Sequence, residues 1–247
     1  MIINLEFAPS LDLGILWRFE DSSMGLSRPS KASQKLAEKI LPEVIDLVKP
    51  TAYIGFFPVQ GFANRRLELE NGLALTGGFI AHILGEAQEI AVIVCTIGNE
   101  LEVRAKEYFA GGRPARGYIL DALGTVALGN LAEDARSYTE ARINERGLQA
   151  STPISPGHAD WALSEQQILF KMLPTRETGV LLNSSFLMQP RKSLTMVLGL
   201  GKKMLTHAEG SQCEYCGLAK TCTYRRVPGD PWYPIKVPSE EASMKNV

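Results

Sequence analysis

The sequence predicts a mixed α/β domain followed by a short cysteine-bearing tail. Three observations point there. Runs of β-branched and apolar residues alternate with segments whose apolar residues recur at helical spacing. The 247 residues are 45 % hydrophobic with 26 basic and 27 acidic side chains, an ordinary globular balance at a net charge of −1. Of the 4 cysteines, Cys95 stands alone, and Cys213, Cys216 and Cys222 crowd near the end. The expected division is an α/β domain over residues 1–203 and a cysteine-containing tail over 204–247.

This composition excludes a disordered chain, which needs low hydrophobicity and high net charge. It also argues against nucleic-acid binding, because a near-neutral surface gains little from counterion release. The start of the chain, Met1 to Gly14, has no basic segment followed by a long apolar one, so no signal peptide is expected. The apolar run Ile90–Cys95 is far shorter than the ~20 residues of a membrane span. A cytoplasmic protein with reduced thiols is the expectation.

Each element follows from local pattern. A strand is expected at Ile2–Phe7. Ser30 reads as an N-cap, with Leu36, Ile40, Val44, Leu47 and Val48 at helical spacing and Pro50 as the stop. Residues 51–57 read as a buried strand. Leu67 to Leu75 alternates around Asn71-Gly72, a hairpin signal. Gly77 and Gly78 open a helix carrying Phe79, Ile80, Ile83 and Leu84. Glu89–Ile97 reads as a buried strand ended by Gly98, with a helix inside Asn99–Phe109. The longest helix runs from about Ala115 to Arg146 along Leu120, Leu123, Ala127, Leu131, Ala135 and Tyr138. Gly124 and Gly129 inside it each cost about 1 kcal/mol relative to Ala, which implies close packing. Residues 147–163 form a Pro/Gly loop, Ser164–Leu173 a short helix, and Gly179–Met188 and Ser193–Gly199 two strands around the loop Gln189–Lys192.

Several segments carry chemistry. Gly199-Leu-Gly201-Lys202-Lys203 is not a phosphate loop, since Met196 and Lys203 occupy positions that need Gly and Ser/Thr. The loop Pro153-Ile-Ser155-Pro156-Gly157-His158-Ala-Asp160 combines a fixed φ with a residue lacking Cβ, so its backbone can approach a ligand closely or simply connect two helices. His82 lies among apolar helix residues and reads as structural. The tail reads His207-x5-Cys213-x2-Cys216-x5-Cys222. Three thiolates suit zinc or an iron–sulfur cluster, with His207, Cys95 or an external ligand as the fourth donor; reduced or redox-active thiols are the other reading.

Four segments occur in order: Cys95-Thr-Ile97-Gly98-x2-Leu101-Glu102, Leu120-Asp121-Ala122-x-Gly124, Ser155-Pro-Gly157, and Leu182-x2-Ser185-Phe-x-Met188-x-Pro190-x2-Ser193. Together they resemble the activation domain of cobalamin-dependent methionine synthase in a stand-alone form, across residues 75–200. The resemblance implies one α/β (α+β) domain with a twisted, mainly antiparallel sheet and long helices. It implies binding of S-adenosylmethionine and methyltransferase-type reductive methylation of cob(II)alamin. The cobalamin would sit on a separate corrinoid protein, as in a split methionine synthase, with an electron-donor protein as a further partner.

The family's ligand loop reads Arg-Pro-Ala-Pro-Gly-Tyr. Here Pro156 and Gly157 match, Pro153 stands in place of the arginine and His158 in place of the tyrosine. The implied ligand set is Ser155, Pro156, Gly157 and His158 on the loop, Glu133 on the long helix facing the ligand's ammonium, and Ser185 on the strand carrying Met188 and Pro190. Replacing the arginine removes a bidentate carboxylate donor. A second expectation follows: a corrinoid-docking module that has lost S-adenosylmethionine and carries a metal or Fe–S site in its tail.

Overall fold

The structure, a computed structural model, describes residues 1–9, 11, 13, 16, 30–158, 161–174, 177–206 and 220. In chain order the elements are β1 (Ile2–Glu6), α1 (Lys31–Leu47), β2 (Thr51–Ala63), β3 (Arg66–Leu69), β4 (Ala74–Thr76), α2 (Gly78–Leu84), β5 (Glu89–Thr96), α3 (Glu100–Ala110), α4 (Pro114–Asn144), β6 (Gln149–Ala150), a 3-10 turn (Leu163–Glu165), α5 (Gln166–Met172), β7 (Leu181–Leu182), β8 (Met188–Gln189) and β9 (Ser193–Gly201). Seven strands form one sheet in the order β4-β3-β2-β5-β9-β6, with β1 also paired to β2. Every pairing is antiparallel. The mixed α/β class with an antiparallel sheet and a long helix, expected from the sequence, is what the structure shows.

Strand alternation divides the core between the two faces of the sheet. Ala52, Ile54, Ala91, Ile93, Cys95, Met196 and Leu198 face α1, α3 and α4. Tyr53, Ile90, Val92, Val94 and Val197 face α2, α5, Trp161 and the β3–β4 hairpin. Because helices cover both faces, β5 is buried along almost its whole length rather than alternating.

Local signals explain the boundaries. Ser30 caps α1 by accepting from the Ser33 N–H at 3.1 Å, and Val48 turns extended after Leu47. Gly124 is where α3 meets α4: a Cβ there would lie 2.7 Å from Leu101 Cδ2. The close packing expected of that glycine is therefore real. The Gly199–Gly201 segment is not a phosphate loop. It is the end of β9, packed so tightly that a Cβ at Gly199 would meet Met204 Cε at 2.6 Å.

Two expectations need correction. The strand expected at 51–57 continues to Ala63, where its outer half pairs with β3 beyond an irregularity between Val59 and Gly61. The strand expected over Gly179–Met188 is not continuous. Only Leu181–Leu182 and Met188–Gln189 pair, because the Asn183 side chain accepts from the N–H groups of Ser185 and Leu187 at 2.9 and 3.0 Å and folds the middle into a turn.

Candidate functional site

Chain 149–155 runs antiparallel along the free side of β9. β6 pairs with Leu200 and Gly201, the Ser151 N–H donates to Gly199 O at 2.8 Å, and Ile154 exchanges two bonds with Val197 at 3.0 and 2.8 Å. The Ser155 hydroxyl then donates to Thr195 O at 2.7 Å. Past that clamp the chain turns. The His158 N–H donates to Ser155 O at 3.2 Å and the Gly157 N–H to Trp161 O at 2.8 Å. Gly157 adopts φ +94°, a conformation that disfavours residues with a Cβ. Pro156 is buried, Gly157 is exposed and His158 is half-buried. The loop is thus a braced turn on a sheet edge rather than a slack helix connection. Two buried polar atoms flank it in sequence, the Thr152 hydroxyl and the Trp161 indole N–H, neither with a hydrogen-bond partner among the described residues.

Glu133 lies on α4. That helix is tied to the start of β9, where Lys192 Nζ donates to Asp121 at 2.9 Å, and to the chain entering β6, where the Leu148 N–H donates to Ile143 O at 3.2 Å. Glu133 is a half-buried position of that helix. Its side chain is 33 % exposed and pairs with Arg136, which is 12 % exposed and also pairs with Glu140. Burial works against the charge on Arg136, but hydrogen bonds and attraction from Glu133 and Glu140 outweigh it and raise its pKa. Burial and the repulsion of Glu133 raise the neighbouring Asp134 carboxyl.

Ser185 sits elsewhere, exposed at the turn between β7 and β8, where Phe186 takes φ +61°. Its N–H is held by Asn183.

Lys192 was not legible in the sequence. Its N–H donates to Glu102 Oε1 at 2.7 Å, its carbonyl accepts from the Ile97 N–H at 3.2 Å, and its Nζ reaches Asp121 and, at 2.8 Å, Thr125. Beside it the Ser193 and Thr96 hydroxyls bond at 2.9 Å. Three of the four segments that carry the resemblance meet at this junction. There Glu102 and Asp121 bond to Lys192, and Ser193 bonds to Thr96.

Two surface clefts lie away from the turn. One of about 680 Å³ runs between α1 and α3, past Glu43, Val103 and Arg104. The other, about 440 Å³, lies by Met1, Phe56 and Arg142. The metal set Cys213, Cys216, Cys222 and His207 lies outside the described residues. Among the described residues no group of three His, Cys, Asp or Glu side chains could hold a metal. Cys95 is fully buried in the core and burial pushes its thiol pKa up. No helix among the described residues is long and apolar enough to cross a membrane.

No family profile matches the chain, and no curated protein sequence does. Among solved structures, the chain is similar to the MetH reactivation domain bound to AdoHcy. The TM-score is 0.57 at 16 % identity, covering 81 % of this chain and 78 % of that one. At that identity the likeness establishes the fold: a MetH reactivation-domain fold.

Proposed function

We propose that this chain is a reactivation module that binds S-adenosylmethionine and serves a separate corrinoid protein. The observation that carries the reading is the braced Ser155–His158 turn on the β9 edge. The neighbour's fold, seen with AdoHcy, supports it. AdoHcy is S-adenosylmethionine without its transferable methyl group.

In this reading the turn offers backbone to the ligand, Gly157 leaves room for close approach, and Glu133 supplies the counter-charge for an ammonium. The unpartnered Thr152 hydroxyl and Trp161 N–H supply hydrogen-bonding capacity next to the turn. The chemistry is transfer of the sulfonium methyl to the partner's cobalt after one electron arrives from a donor protein, leaving S-adenosylhomocysteine. The residues of this chain bind and orient the donor; the cobalt and the electron come from partners.

A second reading is favoured by Pro153 and His158, which stand where the family has arginine and tyrosine. The module would dock on a corrinoid protein without S-adenosylmethionine and would carry zinc or an Fe–S cluster on Cys213, Cys216, Cys222 and His207. Calorimetric titration with S-adenosylmethionine, with and without a corrinoid protein, separates the two. Binding in either condition supports the first reading; none in both sinks it. Metal analysis with a visible spectrum tests the tail. Replacing Cys213 and Cys216 by Ser should abolish bound metal, whereas Cys95→Ser should leave it unchanged.

A further inference from the structure

Three guanidiniums converge on one ring at the corner between α3 and α4. The central carbons of Arg104, Arg113 and Arg116 lie 4.9, 4.7 and 5.0 Å from the centre of the Tyr108 ring. No two of these carbons are therefore more than about 10 Å apart, one screening length at 0.1 M salt. Among the described residues two carboxylates answer them. Glu43 accepts from Arg104 Nε at 2.7 Å, from Arg116 Nη2 at 3.3 Å and from the Tyr108 hydroxyl. Glu107 accepts from Arg104 Nη1 at 2.9 Å. The three cations are unequally satisfied. Arg104 is held by both carboxylates. Arg116 has one long bond, and its buried Nε–H has no partner among the described residues. Arg113 is exposed and stacked on Tyr108, and its side chain makes no ion pair or hydrogen bond among the described residues. It keeps all five of its N–H donors. The segment from Tyr108 to Tyr118 has no acidic residue to fold back on it. A Cβ at Gly111 would stand 3.4 Å from Arg113 Nη2, so glycine there leaves that donor clear.

We propose that this corner binds a phosphate-type dianion, with Arg113 as its contact and Arg104 and Arg116 as the surrounding positive field. An arginine fork matches a phosphoryl group bidentately. The stack on Tyr108 fixes the guanidinium plane beforehand, so little freedom is lost on binding. Arg116 gives up one long bond if it turns toward the anion, and Glu43 then stays paired with Arg104 and Tyr108. A dianion gains from all three cations, whereas a monoanion repeats what Glu43 and Glu107 already supply. One uncommitted guanidinium on a chain of net charge −1 is not the extended basic track that nucleic acid needs. The site does not depend on the reading of the 153–158 turn, since S-adenosylmethionine carries no phosphoryl group.

The test is calorimetric titration of the full chain with inorganic phosphate and with acetate, at ionic strength held constant with potassium chloride. Phosphate should bind at least about tenfold more tightly than acetate. Arg113→Gln should weaken phosphate about tenfold, and Arg113→Lys, which keeps the charge and loses the fork, about threefold or more. Both should retain the wild-type circular dichroism spectrum because Arg113 is exposed. Arg142→Gln, which removes an exposed cation elsewhere, should leave the affinity unchanged. Pyrophosphate and a short peptide carrying one phosphoserine separate the sources of the phosphoryl group: tighter binding of the first assigns the site to a small phosphorylated ligand, of the second to a phosphorylated partner. Phosphate no tighter than acetate, or phosphate affinity unchanged in Arg113→Gln, overturns the proposal.

Discussion

Removing one hydroxyl from Tyr108 should loosen the clamp that holds α4 against α1 and α3. Tyr108 is buried, and its hydroxyl donates to the Glu43 carboxylate, 2.6 and 2.7 Å from the two oxygens. Arg104 and Arg116 reach the same carboxylate at 2.7 and 3.3 Å. The guanidinium carbons of Arg104, Arg113 and Arg116 lie 4.9, 4.7 and 5.0 Å from the Tyr108 ring centre. Tyr108→Phe keeps the ring and these stacks, so it isolates the hydroxyl. A hydrogen bond to a charged group contributes about 1.5–3 kcal/mol. Glu43 retains two arginines in the variant, so the lower end applies, about 1.5–2 kcal/mol, or about 3–8 °C in Tm for a chain of this size. The effect should depend on pH. Burial works against ionisation of Glu43, but the Tyr108 hydroxyl, then Arg104 and Arg116, outweigh it and hold its carboxyl below the ordinary value. A depressed carboxyl contributes its stability above the unfolded value, about 4.3, and loses it as pH falls through the lower folded value. The gap between wild type and variant in urea unfolding should therefore be largest at pH 7 and shrink below about pH 4. A gap under about 0.5 kcal/mol at pH 7, or one that does not shrink as acid titrates the folded carboxylate, would refute the reasoning.

Three further outcomes follow from the geometry. Gly157→Ala places a Cβ at φ +94° and 3.3 Å from Leu163 Cδ1; thermal melts should show a loss of about 1 kcal/mol after the gain from a stiffer unfolded chain, and S-adenosylmethionine affinity should fall with it. Lys192→Met removes the bonds to Asp121 and Thr125 and should cost about 1 kcal/mol by denaturant unfolding, since the Lys192 backbone bonds remain; an unchanged midpoint would remove Lys192 from its anchoring role. Pro153→Arg with His158→Tyr should strengthen S-adenosylmethionine binding in calorimetry, and unchanged affinity would count against the loop as the ligand site.

Much of the scaffold was legible because it rests on local signals. The cap at Ser30, the stop after Leu47, the Asn71-Gly72 hairpin and the β-branched run of β5 each announce themselves within a few residues. Even Pro42, inside α1, did not hide the helix, because the apolar spacing continues through it. What escaped depends on which partners individual side chains find. The break at Asn183 is set by side-chain capture of two backbone N–H groups, which alternation does not reveal. Lys192 reads as a surface lysine until the fold brings Glu102, Asp121 and Ile97 to it. The partner of Glu133 was within reach of the sequence: Arg136 and Glu140 stand at i+3 and i+7, one face of a helix. What spacing could not show was that this arginine would be largely buried.

The Lys192 junction bears on how such a chain can change over time. Lys192 and its partners brace β5, α3, α4 and β9 together, and none of them lies on the turn at 153–158. The turn hangs from β9 by main-chain pairing at Ile154 and one hydroxyl at Ser155. Side chains at Pro153 and His158 can therefore be exchanged without disturbing the junction. A lineage can keep the scaffold recognisable while its ligand chemistry is rewritten one loop residue at a time.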